Sequence, residues 1–308
     1  MKKINTTSKI SFLLVFLSSV LYFSCSKDRI QQEQLNSYNS PNSYLDSKKQ
    51  QEQEFTIDTS GSGPIIGNQF TKIWMGKQCL MFPNGDSVTW PFTIKLVELY
   101  KPKDMIYYQM PTVASSGILK TEGEIRLRAF KNGTELLLKP DPCMSQIEMP
   151  NAAPQNNMRV FYGFETSGLP DWTDNPSLLG VTTTLNPVFS ATSYGYAAPI
   201  ARLGWINCGL QAGGTSNSTL SFSSTVDDLT NVAIFIYFPS TKTVMQVHNL
   251  ASGQIPNGSA VKIIAIAVNG SGQLYSFYQT QTVSASASVD VTMSATSDAS
   301  LTSLLDGL

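Results

Sequence analysis

The stretch 124-EIRLRAFKNGTELLLKP-140 decides the fold class of this chain. Apolar and polar residues alternate from Ile125 to Ala129, a period of two that is typical of a β-strand with one buried face. Asn132-Gly133 follows, a pair that favours the tight turn of a β-hairpin, and Leu136 to Leu138 return. The stretch therefore predicts an antiparallel hairpin.

Similar signals recur along the chain, where short β-rich runs lie between Gly, Pro and Asn turns. The C-terminal third contains five such runs: NVAIFIYF (231–238), KTVMQVHNL (242–250), SAVKIIAIAVNG (259–270), QLYSFYQTQTV (273–283) and ASVDVTMS (287–294). Asn269-Gly270 is expected to turn one hairpin. The leucines in 297-SDASLTSLLDGL-308 have helical spacing. We therefore predict an all-β chain of tandem antiparallel β-sandwich domains with a short C-terminal helix.

Composition excludes one class of partner. Charged residues make up 14% of the chain and the formal net charge is −1. A nucleic-acid-binding domain presents clustered positive charge, which this sequence lacks. We therefore expect no nucleic-acid partner.

The N-terminal stretch 12-FLLVFLSSVLYFSCSKDRIQQEQ-34 indicates export. A basic start precedes an apolar run of about 14 residues, Ile10 to Phe23, whereas a membrane-spanning helix needs ~20. Ser24 and Cys25 follow, and the stretch resembles a bacterial lipoprotein signal that is cleaved between them. The resemblance implies acylation of the Cys25 thiol and anchoring in the outer membrane, at its periplasmic or its cell-surface face. The alternative is an ordinary secretory signal with an incidental cysteine.

The domain organisation follows from changes in composition. Residues 1–24 are the predicted signal peptide. Residues 25–62 have few apolar residues to bury and are predicted to be a flexible tether. Residues 63–150 are predicted to form a β-sandwich module, residues 151–212 an irregular β segment that packs on a flanking sandwich, and residues 213–308 a second sandwich.

Three motifs give residues 63–150 a family resemblance: MFPNGDSVTWPFTIKLVELYKPKDMI, MPTVASSGILKTEGEIRLRAF and NGTELLLKP. They resemble a β-sandwich module of Bacteroidota lipoproteins, distantly similar to the sandwich domains of netrin receptors and ankyrins. Asp104, Thr112, Gly123 and Asn132 match residues that such modules use mostly for turns. The resemblance implies a rigid spacer or binding platform and no catalytic residue. The C-terminal strand order resembles a transthyretin-like sandwich.

The cysteines indicate no metal centre. Once Cys25 is acylated, Cys79, Cys143 and Cys208 remain, and their spacing matches no zinc motif. At most one disulfide can form within the chain, and its pairing stays open. Buried free thiols are the preferred interpretation. In the string LGWINC, we expect Trp205 and Cys208 to pack in the core.

Catalytic constellations are weak in this sequence. His248 is the one histidine, and no serine lies in a G-x-S-x-G elbow, so a Ser-His-Asp triad is not indicated. Among the carboxylates, Glu98, Asp104, Glu122 and Glu124 are candidates for acid–base chemistry only because they are acidic. A solvated strand face explains Glu122 and Glu124. We therefore expect no enzyme, no metal and no cofactor.

One loop-rich segment offers possible ligand contacts. Asp171 to Asn175 (DWTDN) carries oxygen ligands but lacks the spacing of a calcium loop. Trp172, Tyr194 and Tyr196 could stack on sugars, although aromatic residues that anchor loops are the more common case. The sequence thus predicts a non-catalytic, membrane-anchored lipoprotein with a structural role or a role in binding envelope proteins or other ligands. The alternative is a glycan-binding surface lipoprotein that captures polysaccharide.

Overall fold

The computed structural model describes residues 35–59, 63–139, 145–184, 188–214 and 216–308. Within them, Ser37 to Leu308 form one compact unit. None of the helices in these described ranges is both long and apolar enough to cross a bilayer.

Short strands dominate the structure, as the sequence predicts. Up to residue 212 they are β1 (Gln53–Ile57), β2 (Ile65–Ile66), β3 (Lys72–Trp74), β4 (Leu80–Met81), β5 (Phe92–Leu99), β6 (Val113–Ala114), β7 (Gly117–Lys131), β8 (Thr134–Glu135), β9 (Leu137–Leu138), β10 (Ser145–Pro150), β11 (Arg159–Thr166), β12 (Leu169–Thr173), β13 (Ser190–Ala191), β14 (Gly195–Ile200) and β15 (Gly204–Ala212). The remaining strands are β16 (Asn217–Ser218), β17 (Leu220–Ser223), β18 (Ala233–Phe238), β19 (Thr243–Gln246), β20 (Ile255–Pro256), β21 (Ser259–Val268), β22 (Leu274–Val283), β23 (Ala287–Asp290) and β24 (Ser294–Ala295). In the described ranges three α-helices accompany them: α1 (Asn42–Ser47), α2 (Pro102–Tyr108) and α3 (Asp298–Asp306).

The first sandwich pairs an eight-stranded sheet with a five-stranded one. The larger sheet has the order β1-β5-β7-β15-β11-β12, with β6 and β8 beside β7, and the smaller has the order β13-β14-β10-β3-β2. Alternate side chains of both sheets form one apolar core, to which Ile125, Leu127 and Ala129 of β7 belong. The alternation from Ile125 to Ala129 therefore corresponds to the inward face of this sandwich.

The second sandwich is built around a five-stranded sheet of order β19-β18-β21-β22-β24. Its inner face packs on the β17–β23 and β16–β20 pairs in a second apolar core. The β17–β23 pair is parallel, a departure from the purely antiparallel sandwich expected.

A third apolar cluster joins the outer faces of the two larger sheets. It combines Val97 and Leu99 of the first sandwich with Ile264 and Ile266 of the second, and all three α-helices contribute side chains to it. Backbone hydrogen bonds also cross, because Thr112 N donates to Val244 O at 2.8 Å. This buried contact explains why the two sandwiches form one unit.

The prediction of a flexible tether over residues 25–62 is wrong for residues 37–59. Residues 37–59 run over both sandwiches: Tyr38 is buried in the second core, Leu45 lies in the third cluster, and β1 pairs with β5 as an edge strand. Polar side chains fix the segment, since Gln50 Nε2 donates to Glu98 O at 2.8 Å. Hydrogen bonds, together with the burial of Tyr38 and Leu45, thus stabilise a segment whose apolar content is low.

The predicted domain boundary at residue 150 is also not a boundary. Strands from residues 63–150 and from residues 151–212 share both sheets of the first sandwich, because β15 pairs with β7 and β14 pairs with β10. The middle segment therefore completes the first sandwich.

The local predictions are confirmed. Asn132-Gly133 turns the β7–β8 hairpin, Asn269 begins the β21–β22 turn, and α3 is the C-terminal helix, capped where Ser297 Oγ accepts from Ser300 N at 3.1 Å. Asn132 has a positive φ of 50°, as a turn requires. Thr112, expected at a turn, instead bonds across the sandwiches.

The cysteines follow two different patterns. Cys208 is a free thiol with no exposed surface, and burial raises its pKa well above the usual value. Cys79 is disulfide-bonded, so the prediction of free thiols is wrong for this residue. Cys143 lies outside the described residues, so the pairing predicted as open is not assigned. Cys208 confirms the core packing expected of LGWINC, whereas Trp205 is half-buried against Tyr108.

Candidate functional site

An exposed aromatic ring marks the most unusual loop of the first sandwich. Phe70 is 66% exposed and has a φ of +70°, a left-handed conformation that a bulky side chain seldom adopts. Such backbone strain persists only where surrounding contacts impose it, and it is frequent at ligand-binding positions.

Every backbone N–H group of the loop from residue 67 to residue 71 donates a hydrogen bond. Gly67 N donates to Thr71 O at 2.8 Å, and Phe70 N donates to Gly67 O at 2.9 Å. Asn68 N donates to Gln53 Oε1 at 2.7 Å. The two remaining amides, those of Gln69 and Thr71, donate to the Glu98 carboxylate, so the loop is held rigidly although it lies at the surface.

Glu98 is the anchor beneath this loop. Its side chain has no exposed surface; Oε2 accepts from Gln69 N and from Gln53 Nε2, both at 2.8 Å, and Oε1 accepts from Thr71 N at 3.0 Å. Three donors around an acceptor-only group hold the loop in place. Glu98 therefore positions the loop and offers no free oxygen for acid–base work.

Close packing fixes the floor of the cleft beside Phe70. A Cβ on Gly67 would lie 2.6 Å from Glu98 Oε2, and a Cβ on Gly123 would lie 2.4 Å from Cδ1 of Tyr100. The Tyr100 hydroxyl is 2.7 Å from Thr71 Oγ1, and burial raises its pKa well above the usual value. Both glycines are required because no side chain fits.

The opposite wall of the cleft is polar and includes both sandwiches. Glu122 Oε2 accepts from Asn151 Nδ2 at 3.0 Å and from Lys242 Nζ at 2.5 Å. Lys242 belongs to the turn between β18 and β19 and has a φ of +55°. With Asn68 and Phe70, these residues surround a cavity of about 440 Å³. Pockets where two domains meet are common ligand sites.

Tyr194 supports the loop but does not present its ring. Its hydroxyl donates to Phe70 O, and Lys72 Nζ lies 3.4 Å from the centroid of its ring. The ring is half-buried, with the ammonium group over its face. Tyr194 therefore supports the loop that carries Phe70 and has one ring face covered by Lys72.

The prediction that Trp172 and Tyr196 stack on sugars is wrong. Trp172 is 2% exposed and its Nε1 donates to Pro111 O at 2.7 Å, while Tyr196 is fully buried and its hydroxyl accepts from Gln155 N at 2.8 Å. Both rings pack in apolar clusters and have no face available to a ligand. The alternation of β12 and β14 turns them inward.

The Asp171–Asn175 segment is also a structural element. Asp171 Oδ1 accepts from Ser115 N at 2.8 Å and from Trp172 N at 2.7 Å, and Asn175 Oδ1 accepts from Ser177 N at 3.1 Å. These oxygens are occupied by protein donors. No group of potential metal ligands occurs within the described residues.

A second cavity, of about 330 Å³, contains Ser115, Asp171 and His248 among mostly apolar lining residues. Within the described part of the chain, no hydrogen bond joins the imidazole to either of the other two side chains. Burial lowers the pKa of His248. The three residue types of a hydrolase triad are thus near one another without the relay that the chemistry needs.

The expectation of a solvated face for Glu122 and Glu124 is wrong. Glu122 retains 5% of its side-chain surface, and Glu124 retains none. Glu124 Oε1 accepts from Asn207 Nδ2 at 3.0 Å, whereas its Oε2 has no partner among the described residues. Burial raises the pKa of Glu124 well above its usual value. Asp104 lies in the first turn of α2 and is also buried, which raises its pKa.

Two predicted site residues are not covered by the structure, and one residue of the cleft was not predicted. Ser24 and Cys25 lie outside the described residues, so their predicted roles stay predictions. Phe70 was missed, because a lone aromatic in NQFTK carries no local sign of exposure. The neighbouring Gly67-Asn68 is the one sequence signal of a turn there.

Comparison with protein-family models, with curated proteins and with solved structures finds no match to this chain. The resemblance to sandwich modules of lipoproteins therefore stays a prediction.

Proposed function

We propose that this protein is a non-catalytic lipoprotein of the Gram-negative envelope, anchored through Cys25, whose folded part is a rigid binding module. The proposed ligand site is the cleft between the Phe70 loop and the Glu122–Lys242 wall. Its ligand is an envelope protein or another molecule at the outer membrane.

One observation supports binding most directly. The chain keeps an apolar ring 66% exposed in a strained conformation and anchors that loop on a buried carboxylate. A left-handed conformation costs a non-glycine residue about 1–2 kcal/mol. Such a cost is understandable if the ring has a partner, since aromatic residues dominate the energetics of interfaces.

The test is a matched pair of variants in the full-length chain. Phe70→Ala removes the ring from the cleft, and Leu178→Ala removes a side chain that is 72% exposed elsewhere, next to the β12 end of the sheet. Crosslinked neighbours are recovered from intact cells carrying each variant. We expect Phe70→Ala to lose at least ~10-fold of a specific neighbour and Leu178→Ala to keep it. Equal recovery from both variants contradicts the proposal.

Glycan binding is the second candidate, favoured by the polar groups around Phe70. An exposed ring can stack on a sugar face, while Asn68, Asn151 and Glu122 offer amide and carboxylate groups for hydroxyls. A polysaccharide panel with the purified chain tests it. Saturable binding that is lost in both Phe70→Ala and Asn151→Ala supports this candidate, and no binding to any glycan removes it.

The anchor has its own test. Cys25→Ala should abolish incorporation of an alkyne-labelled palmitate and move the protein out of the membrane fraction, because acyl chains contribute ~0.8 kcal/mol per buried CH₂. Ser26→Ala is the matched control and should keep both properties. Unchanged labelling of Cys25→Ala contradicts the lipid anchor and leaves the cleft hypothesis to be judged separately.

A further inference from the structure

The outer edge of the second sandwich is a strand with one side largely unpaired. β22 pairs with β21 along its whole length, but on its outer side β24 pairs only with Tyr275 and Ser276. Within the described ranges, no backbone hydrogen bond is made to the outer side of residues 277–283.

The register shows which backbone groups point outward. Leu274 O accepts from Thr296 N, which follows β24, and Val283 O accepts from Gly258 N, which precedes β21. Since successive residues of an antiparallel strand alternate between its two neighbours, even-numbered residues point outward. Tyr278, Thr280 and Thr282 thus each present an unpaired N–H and C=O.

Nothing in this segment protects the edge. Its sequence, 277-FYQTQTV-283, contains no charge, no proline and no glycine, and its register with β21 has no bulge. Natural sheets usually guard an open edge with charged residues, proline or a bulge. A seven-residue edge without these devices is a template for another strand.

The segment is complementary to itself when a copy runs antiparallel about Thr280. Gln279 then lies opposite Gln281 of the second copy, and Phe277 lies opposite Val283. Tyr278 lies opposite Thr282, an aromatic and β-branched pair of the kind that stabilises sheets. Every outward N–H and C=O of Tyr278, Thr280 and Thr282 finds a partner.

The length of the free edge fits the same arrangement. The strand ends at Val283 on one side of Thr280, and β24 begins to cover it at Ser276 on the other. Three residues flank Thr280 on each side of the free segment. A second copy can therefore pair over 277–283 without displacing β24.

We propose that a second copy of this chain adds to the free edge of β22, with a twofold axis at Thr280, so that two five-stranded sheets become one continuous sheet. Closed twofold pairs are the commonest arrangement of identical chains. A strand edge buries less than the ~1,600 Å² of a standard interface, so we expect association that rises with concentration.

Cysteine crosslinking in the full-length chain tests the register. Residues opposite each other in a hydrogen-bonded antiparallel pair have Cα atoms ~5.5 Å apart, which suits a disulfide. Thr280→Cys should therefore form a covalent dimer on mild oxidation, at least ~10-fold faster than Thr282→Cys, whose two copies lie ~13 Å apart. A mixture of Tyr278→Cys and Thr282→Cys chains should crosslink although neither does alone.

Two proline variants separate pairing from folding. Thr280→Pro removes only an outward N–H, so it should keep the unfolding midpoint and stay monomeric in sedimentation at concentrations where the unaltered chain dimerises. Gln281→Pro removes an N–H that bonds to β21 and should lower the midpoint. Should Thr280→Pro fail to fold, Thr280→Lys places two ammonium groups at the axis and should also give a monomer.

Several results overturn the proposal. They are a monomeric unaltered chain at every concentration up to ~1 mM, equal crosslinking of Thr280→Cys and Thr282→Cys, or a dimer that persists in the proline or lysine variant of Thr280. Crosslinking of Thr280→Cys to a different envelope protein also overturns it, in favour of a foreign strand at this edge.

Discussion

Two buried glutamates on neighbouring strands show how differently one residue type can be used. Glu98 on β5 and Glu124 on β7 both have no exposed surface. Three N–H donors surround the Glu98 carboxylate, whereas Glu124 receives one, from Asn207, and one of its oxygens has no partner among the described residues.

Burial alone therefore does not make a carboxylate catalytic. Around Glu98 two of the three donors, Gln69 N and Thr71 N, belong to the surface loop and the third is Gln53 Nε2 of β1, so the carboxylate fixes the loop that carries Phe70 to the sheet. Around Glu124 desolvation outweighs the single hydrogen bond, which explains the raised pKa. One glutamate stabilises a loop, and the other is a buried carboxyl group whose pKa is raised by desolvation.

The largest expected effect is that of Glu98→Gln. The new amide places its own N–H groups against backbone donors, so at least one loop amide loses its acceptor. We expect the free energy of unfolding to fall by about 2–4 kcal/mol. Chemical denaturation at pH 7 measures this, and an unchanged midpoint contradicts the role of Glu98 as an anchor.

Glu124→Gln should have a smaller effect of opposite sign. An amide keeps the bond from Asn207 and removes the cost of a carboxyl group that ionises readily only in the unfolded chain. We expect the free energy of unfolding to rise by about 1–2 kcal/mol at pH 7. A loss of stability as large as that of Glu98→Gln would remove the contrast between the two glutamates.

The raised pKa of Glu124 also predicts that the free energy of unfolding depends on pH. The folded-state pKa of Glu124 is raised, so its contribution to stability is fully present below the ordinary Glu pKa and is lost as the pH rises toward the raised value. The unaltered chain should lose up to about 1.4 kcal/mol per pH unit in that window from this group. Glu124→Gln should remove this slope; a slope identical in both chains contradicts the assignment.

The smallest expected effect on stability is that of Phe70→Gly. Glycine accepts a positive φ without strain, but it adds freedom to the unfolded chain, so the two effects nearly offset each other. We expect a change of about 0.5 kcal/mol or less together with complete loss of cleft binding. A large loss of stability would show that the ring packs in the fold and is not presented to a ligand.

The sequence predicted what depends on neighbours along the chain. Asn132-Gly133, Asn269-Gly270 and the leucine spacing of the C-terminal helix are local signals, because a turn or a short helix depends on residues within a few positions. The all-β class and the inward face of β7 followed from alternation over a few residues. These features required no knowledge of distant contacts.

The sequence did not predict what depends on residues far apart in the chain. Trp172 and Tyr196 resemble loop aromatics in the sequence, but β12 and β14 place their side chains in apolar clusters. Gln50 and Gln53 lie in a polar stretch that predicts a flexible tether, yet both donate hydrogen bonds to Glu98, 45 or more residues away. Polar hydrogen bonds that fix a segment cannot be counted from its apolar content, and Phe70 became visible only through that network.

Because Tyr38 is already buried in the second core, little chain separates the folded unit from Cys25, and this limits how far an acylated chain can extend from a membrane. If the chain is acylated at Cys25, twelve residue steps separate the lipid from Ser37, the first residue of the folded unit. Fully extended, these steps reach only ~40 Å. A tether running to residue 62 would let the folded unit reach about three times farther, so a chain acylated at Cys25 would meet its partners close to the bilayer surface.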